Sequence, residues 1–152
     1  MVMVAAGGLM TWKKANAHCQ VPCGIYDDPA RIQALREDAT TIEKAIASIG
    51  SLAGSHNANG FNQAARWVAT KEDHASHIIT VVAEYFLTQK VKPVAKAADG
   101  YDEYAESLAK HHAVMVAAMK TKQSADPSTV TALNKAIEEL APLYNATAPH
   151  EH

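Results

Sequence analysis

Apolar residues recur along most of this chain at steps of three and four, and the recurrence falls into four blocks. The first follows Asp27-Asp28-Pro29, an aspartate cap with proline in the opening turn, where its missing N–H costs nothing. Ile32, Leu35, Ala39, Ile42, Ile46 and Ile49 then form one stripe, and Gly50 and Gly54 end it. The second block opens after GSHNANG. Phe61, Ala65, Val68, Ala75, Ile78, Val82 and Phe86 hold the same phase, with one polar turn at Glu72, and Pro93 closes it. The third runs from about Tyr101 to Lys122 on Tyr104, Leu108, His111, Met115 and Met119. A second cap-proline pair, Asp126-Pro127, starts the fourth, which carries Val130, Leu133, Ile137 and Leu140 until Pro142 weakens it.

Four helices with short connections predict an all-α fold, an antiparallel up-down four-helix bundle over about residues 28–145. The β-branched stretch HIITVVAEYF keeps helical phase with its neighbours, and NATAPHEH reads as a loose tail. The stripes themselves are core, with Met115 and Met119 as core filler, so the chemistry must lie elsewhere.

A chain of 152 residues, 48% hydrophobic and 20% charged, suits one domain with a real core. Its net charge of −2 gives no broad basic footprint for nucleic acid. No apolar run approaches the ~20 residues needed to span a bilayer.

Residues 1–17 stand apart. MVMVAAGGLM has the length of a secretory apolar region, and Ala15-Asn16-Ala17 matches a small-residue cleavage site. No lysine or arginine precedes the apolar run; Lys13 and Lys14 follow it. We expect this leader to be removed, leaving residues 18–152 as the domain. The compartment, cytoplasmic or exported, stays open.

The next nine residues are HCQVPCGIY, and Cys19 and Cys23 are the two cysteines of the chain. Two cysteines can close a disulfide, bind a metal or do redox chemistry. His18 adds an imidazole and, if the chain is cut after Ala17, a free α-amine. That amine, the Cys19 amide nitrogen and the Cys19 thiolate would form two fused five-membered chelate rings, and Cys23 would close a square. Pro22 and Gly24 shape the reversal. A planar N,S site suits Ni(II) or Cu(II), whereas Zn(II) prefers a tetrahedron. Thiolates and an amidate stabilise a higher oxidation state, and the imidazole can bind axially.

HCQVPCGIY resembles the metal hook of the nickel-containing superoxide dismutases, His-Cys-x-x-Pro-Cys-Gly-x-Tyr, at His18, Cys19, Pro22, Cys23, Gly24 and Tyr26. The resemblance implies a nickel ion held by the His18 amine, the Cys19 amide nitrogen and the two sulfurs, with the His18 imidazole joining on oxidation. It implies superoxide as substrate, Tyr26 near the metal to order solvent and gate approach, a precursor cut before His18 by a protease, and a homohexamer of bundles. Gln20 departs from the family's frequent aspartate. The family's glutamate that holds the axial imidazole, and the arginine behind it, find only Gln33, Glu37, Arg66 and His74 nearby. A non-catalytic nickel or copper carrier or sensor is the competing function, and a small disulfide loop is the competing structure.

Other histidines read as structural. His111 and His112 face different ways, one at the core edge and one in solvent. His74 and His77 can share a polar helix face rather than a second metal site, and His150 and His152 lie in the tail. Tyr101 and Tyr104 fit a helix start or a subunit contact.

Overall fold

The structure, a computed structural model, describes residues 24–145. The leader, the ligands His18, Cys19 and Cys23, and the tail histidines lie outside the described residues.

Helix starts are set by side chains that satisfy the first free N–H groups. Asp27 accepts from the amide of Ala30 at 3.0 Å and opens α1, Asp28–Leu52. Asn57 accepts from Gly60 at 2.9 Å and opens α2, Ala58–Thr80. The helix continues without a break as a π-helical segment, Val81–Lys90. Acidic residues Asp102 and Glu103 occupy the first turn of α3, Tyr101–Gln123, where they meet the positive end of the helix dipole. Asp126 accepts from Ser128 at 2.8 Å ahead of α4, Pro127–Leu140, and these bonds hold its carboxyl below the usual range. Both predicted cap-proline pairs are present. A 3-10 turn, Ala141–Tyr144, carries the chain past Pro142. No strand occurs among the described residues.

Side-chain pairings fix the topology. Asp28 meets Tyr85 while Asp38 meets His74 and His77, so α1 and α2 are antiparallel. Lys71 meets Thr121 and Lys122 while Phe86 packs on His111, so α2 and α3 are antiparallel. His111 on α3 reaches Tyr144 just past α4, and Arg36 holds Glu138 through two bonds of 2.7 and 2.8 Å, tying α1 to α4. The result is the predicted four-helix bundle.

The core is built from Ile32, Leu35, Ala39, Ile42 and Ile46 of α1, and from Ala75, Ile78, Val82 and Phe86 of the long second helix. Val130, Leu133, Ile137 and Leu140 of α4 complete it, and all are buried. These stripes match expectation. Two parts do not. Phe61 is 63% and Val68 42% exposed. The buried Lys71 ammonium caps the last carbonyls of α3, which stops at Gln123, so the part of α2 before Lys71 runs past the end of its neighbour and has nothing to pack against. In α3 the buried row is His111, Val114, Ala117, Ala118 and Thr121; Met119 is exposed rather than core filler, and Met115 packs from the margin. Small and polar residues mark that inner face, so apolar bulk points to a neighbouring one.

The hairpin between α1 and α2 is tight at Gly60. A Cβ there would lie 2.4 Å from that of Ser55, which only glycine avoids.

Candidate metal centre

The described end of the hook begins at Gly24, directly after Cys23. Its φ of +78° is left-handed, and open space surrounds the position of a missing Cβ. Glycine is needed there for the turn and not for room. Tyr26 follows, and 42% of it is exposed.

Two contacts seat the Tyr26 ring. Its edge meets Tyr85 at 5.8 Å between centroids, with the planes at 76°. The Lys90 ammonium lies 4.4 Å from its centroid on the π face. Asp28, in the first turn of α1, joins both partners: one carboxylate oxygen accepts from Tyr85 Oη at 2.6 Å and the other pairs with Lys90 Nζ at 2.9 Å. Arg31 covers the Tyr85 ring at 5.2 Å. Burial, reinforced by the Asp28 bond and charge, pushes the Tyr85 phenol well up, so it stays protonated and donates.

The π-helical segment carries this arrangement. Its wider turn lets Val82, Tyr85, Phe86 and Gln89 all face inward. Thr88 and Gln89 bond back five residues to the carbonyls of Ala83 and Glu84. Tyr85 therefore reaches the start of α1 while its neighbour Phe86 fills the bundle centre.

Behind Phe86 lies a second polar pair. Phe86 packs on Tyr85 at 5.0 Å and on Tyr144 at 4.3 Å between centroids. His111 is wholly buried, not at the core edge, and His112 is exposed. His111 Nδ1 lies 2.7 Å from the Ser107 carbonyl, which can only accept, so Nδ1 carries the proton. Burial holds the ring's pKa below the ordinary value, so Nε2 is bare and accepts from Tyr144 Oη at 2.6 Å. Burial likewise raises the Tyr144 phenol.

His74 and His77 do share a face. Each Nδ1 lies 2.6 Å from one oxygen of the buried Asp38 carboxylate. Among the described residues, no group of three or more His, Cys, Asp or Glu is arranged to hold a metal. Gln33 bonds Glu37 at 3.4 Å, and Arg66 is exposed. No described helix is long and apolar enough to cross a membrane.

The sequence singles out Tyr26 but not Asp28, Tyr85 or Lys90 as its supports. In the sequence Asp28 reads only as part of a helix start. Tyr85-Phe86 sits inside an apolar run, and the adjacent aromatics are the one available signal.

Searches of curated proteins and of solved structures gave no match. The model of the family described as nickel-containing superoxide dismutase matches residues 13–148, nearly the whole chain. The chain belongs to that family: it is a nickel-dependent oxidoreductase that converts superoxide to dioxygen and hydrogen peroxide.

Proposed function

We propose that the nickel of this enzyme is held at residues 18–23. Its ligands would be the His18 amine, the Cys19 amide nitrogen and the Cys19 and Cys23 sulfurs, with the His18 imidazole available as a further donor. The donor set fits the ion, since thiolates and deprotonated nitrogen favour a metal with planar geometry and two accessible oxidation states. The bound ion supplies the one-electron couple that superoxide disproportionation requires. The observation that carries this placement is the seat of Tyr26, three residues after Cys23, between Tyr85 and Lys90.

The protein's own groups have separate tasks. Gly24 reverses the chain after the second sulfur. Lys90, only partly offset by Asp28, presents positive charge to an incoming anion on a chain of net charge −2. Tyr26 Oη, on a half-exposed ring, orders solvent at the approach and can relay the protons that peroxide formation consumes. Asp28 and Tyr85 keep that ring in place.

Maturation follows from the ligand set. While residues 1–17 are attached, the His18 nitrogen is an amide and a poor ligand, so a protease must cut before His18. The mature domain, residues 18–152, assembles in this reading as a homohexamer. A carrier or sensor role is disfavoured, because amidate chelation makes exchange slow.

The test is superoxide decay by pulse radiolysis on protein beginning at His18, with and without stoichiometric nickel, beside the uncut chain. Catalytic decay from cut, nickel-loaded protein alone is the expected result. Full activity of the uncut chain would overturn the amine-ligand assignment.

A further inference from the structure

The aromatic column from Tyr26 inward ends at a tyrosine with its own base. Tyr26, Tyr85, Phe86 and Tyr144 contact in sequence at 5.8, 5.0 and 4.3 Å between centroids, and Tyr144 donates to bare Nε2 of His111. Phenols lose an electron easily only if the proton can leave as well, since an oxidised phenol is a strong acid. Tyr144 meets that condition inside the protein. Its neighbours toward the surface are less suited to keep an electron hole: the Lys90 ammonium lies over Tyr26, and the Arg31 guanidinium over Tyr85. A cation on the π face is attracted to the electrons that oxidation removes.

We propose that Tyr144 and His111 form a redox-active pair that draws damaging oxidising equivalents away from the metal hook. The oxidant is hydroxyl radical, formed by one-electron reduction of the enzyme's own product, hydrogen peroxide. It takes a hydrogen atom from Tyr26 Oη and becomes water. The Tyr26 phenoxyl then takes an electron from Tyr85 and a proton from solvent, while the Tyr85 proton passes to Asp28 at 2.6 Å. Tyr85 regains its electron from Tyr144 and its proton from Asp28. The Tyr144 proton moves to His111 Nε2, leaving a neutral phenoxyl beside an imidazolium. Overall, hydroxyl radical, one solvent proton, Tyr144 and His111 give water, the Tyr144 phenoxyl and protonated His111. Superoxide can reset the pair: it gives up its electron as dioxygen, and the proton returns from His111 to Tyr144. Tyr144 lines a surface groove with Lys90, Lys92 and Tyr104, a fitting approach for that anion. The placement of the hook matters here only for where the oxidant arises.

Flash-quench oxidation of the full-length chain with a ruthenium photo-oxidant, with and without nickel, reads the pair directly. High-field electron paramagnetic resonance should show a phenoxyl whose largest g value is lowered by a hydrogen bond from imidazolium. Tyr144→Phe keeps the ring packing and should lose most of that signal, and a Tyr101→Phe/Tyr104→Phe double variant should keep it. An unchanged spectrum in Tyr144→Phe overturns the assignment. His111→Gln should retain a phenoxyl without the imidazolium signature; an identical g value there also overturns it. With hydrogen peroxide, nickel-loaded Tyr144→Phe should accumulate sulfinic and sulfonic acid at Cys19 and Cys23 several-fold faster by mass spectrometry. Equal rates would refute the protective route. The nickel-free flash-quench arm needs neither metal nor ligands, so its failure is distinct from failure of the hook assignment.

Discussion

Asp28→Asn isolates the node that seats Tyr26. The change is nearly isosteric and removes one charge. Tyr85 Oη now donates to a carboxylate at 2.6 Å, and an amide oxygen would replace a charge-assisted bond with a neutral one, a loss of about 1 kcal/mol. Lys90 would lose its partner at 2.9 Å; both side chains are about a quarter exposed or less, so that pair adds roughly 0.2–1 kcal/mol. The sum is about 1–2 kcal/mol, or a melting temperature lower by about 3–6 °C for a domain of this size. Urea and thermal unfolding followed by circular dichroism measure it. The Tyr85 phenol should titrate at lower pH in the variant, yet still above an ordinary tyrosine, because burial is the larger cause of its shift. Ultraviolet difference titration reads that change. Superoxide capture should move the other way. Freed from Asp28, the Lys90 charge at about 10 Å from an approaching anion contributes about 0.4 kcal/mol in water, so capture at low salt rises by at most about twofold. A stability loss under about 0.5 kcal/mol with an unmoved Tyr85 titration would refute the reasoning, since Asp28 would then organise neither partner.

Three further outcomes are expected. Cys19→Ser and Cys23→Ser should each abolish nickel-dependent dismutation and leave far-ultraviolet circular dichroism unchanged; lost helicity would make the cysteines structural. Lys71→Met removes the charged cap on the α3 carbonyls of Thr121 and Lys122 and should cost about 2 kcal/mol in urea unfolding. His111 has a folded-state pKa lowered by burial, so below about pH 6.5 the unfolded chain takes up the proton first. Its contribution to stability is therefore complete above that pH and is lost on acidification, until the folded-state pKa is passed. His111→Gln should flatten the fall in unfolding free energy between about pH 7 and pH 5 by up to about 1.4 kcal/mol per unit, and an unchanged slope would contradict the burial argument.

Period and capping alone make α1 and α4 legible in the sequence. Ile32 to Ile46 and Val130 to Leu140 are large, regularly spaced and flanked by Asp-Pro starts, and they bury in that pattern. The inner row of α3 is hidden because alanines, a threonine and a histidine do the facing there, and periodicity counts bulk. Phe61 and Val68 carry the correct phase for a core but lie beyond the end of α3. Phase cannot report where a neighbouring helix stops. The proposed metal ligands are the clearest part of the sequence, because contiguous residues supply them all. The supports of Tyr26 are not, because Asp28, Tyr85 and Lys90 meet only after α1 and α2 fold back on each other.

The π-helical segment also sets a reading frame. In an α-helix one residue is worth roughly 100° of rotation, so deleting a single residue between Val81 and Lys90 would turn everything after the deletion by more than a quarter of a circle. Such a chain would keep its composition, its loops and its apolar count. A deletion upstream of Tyr85 would nonetheless point Tyr85 and Phe86 away from α1 and α3 together, so that the seat of Tyr26 and the centre of the bundle would fail in one event. Substitutions along these ten residues can be absorbed one at a time; changes of length cannot.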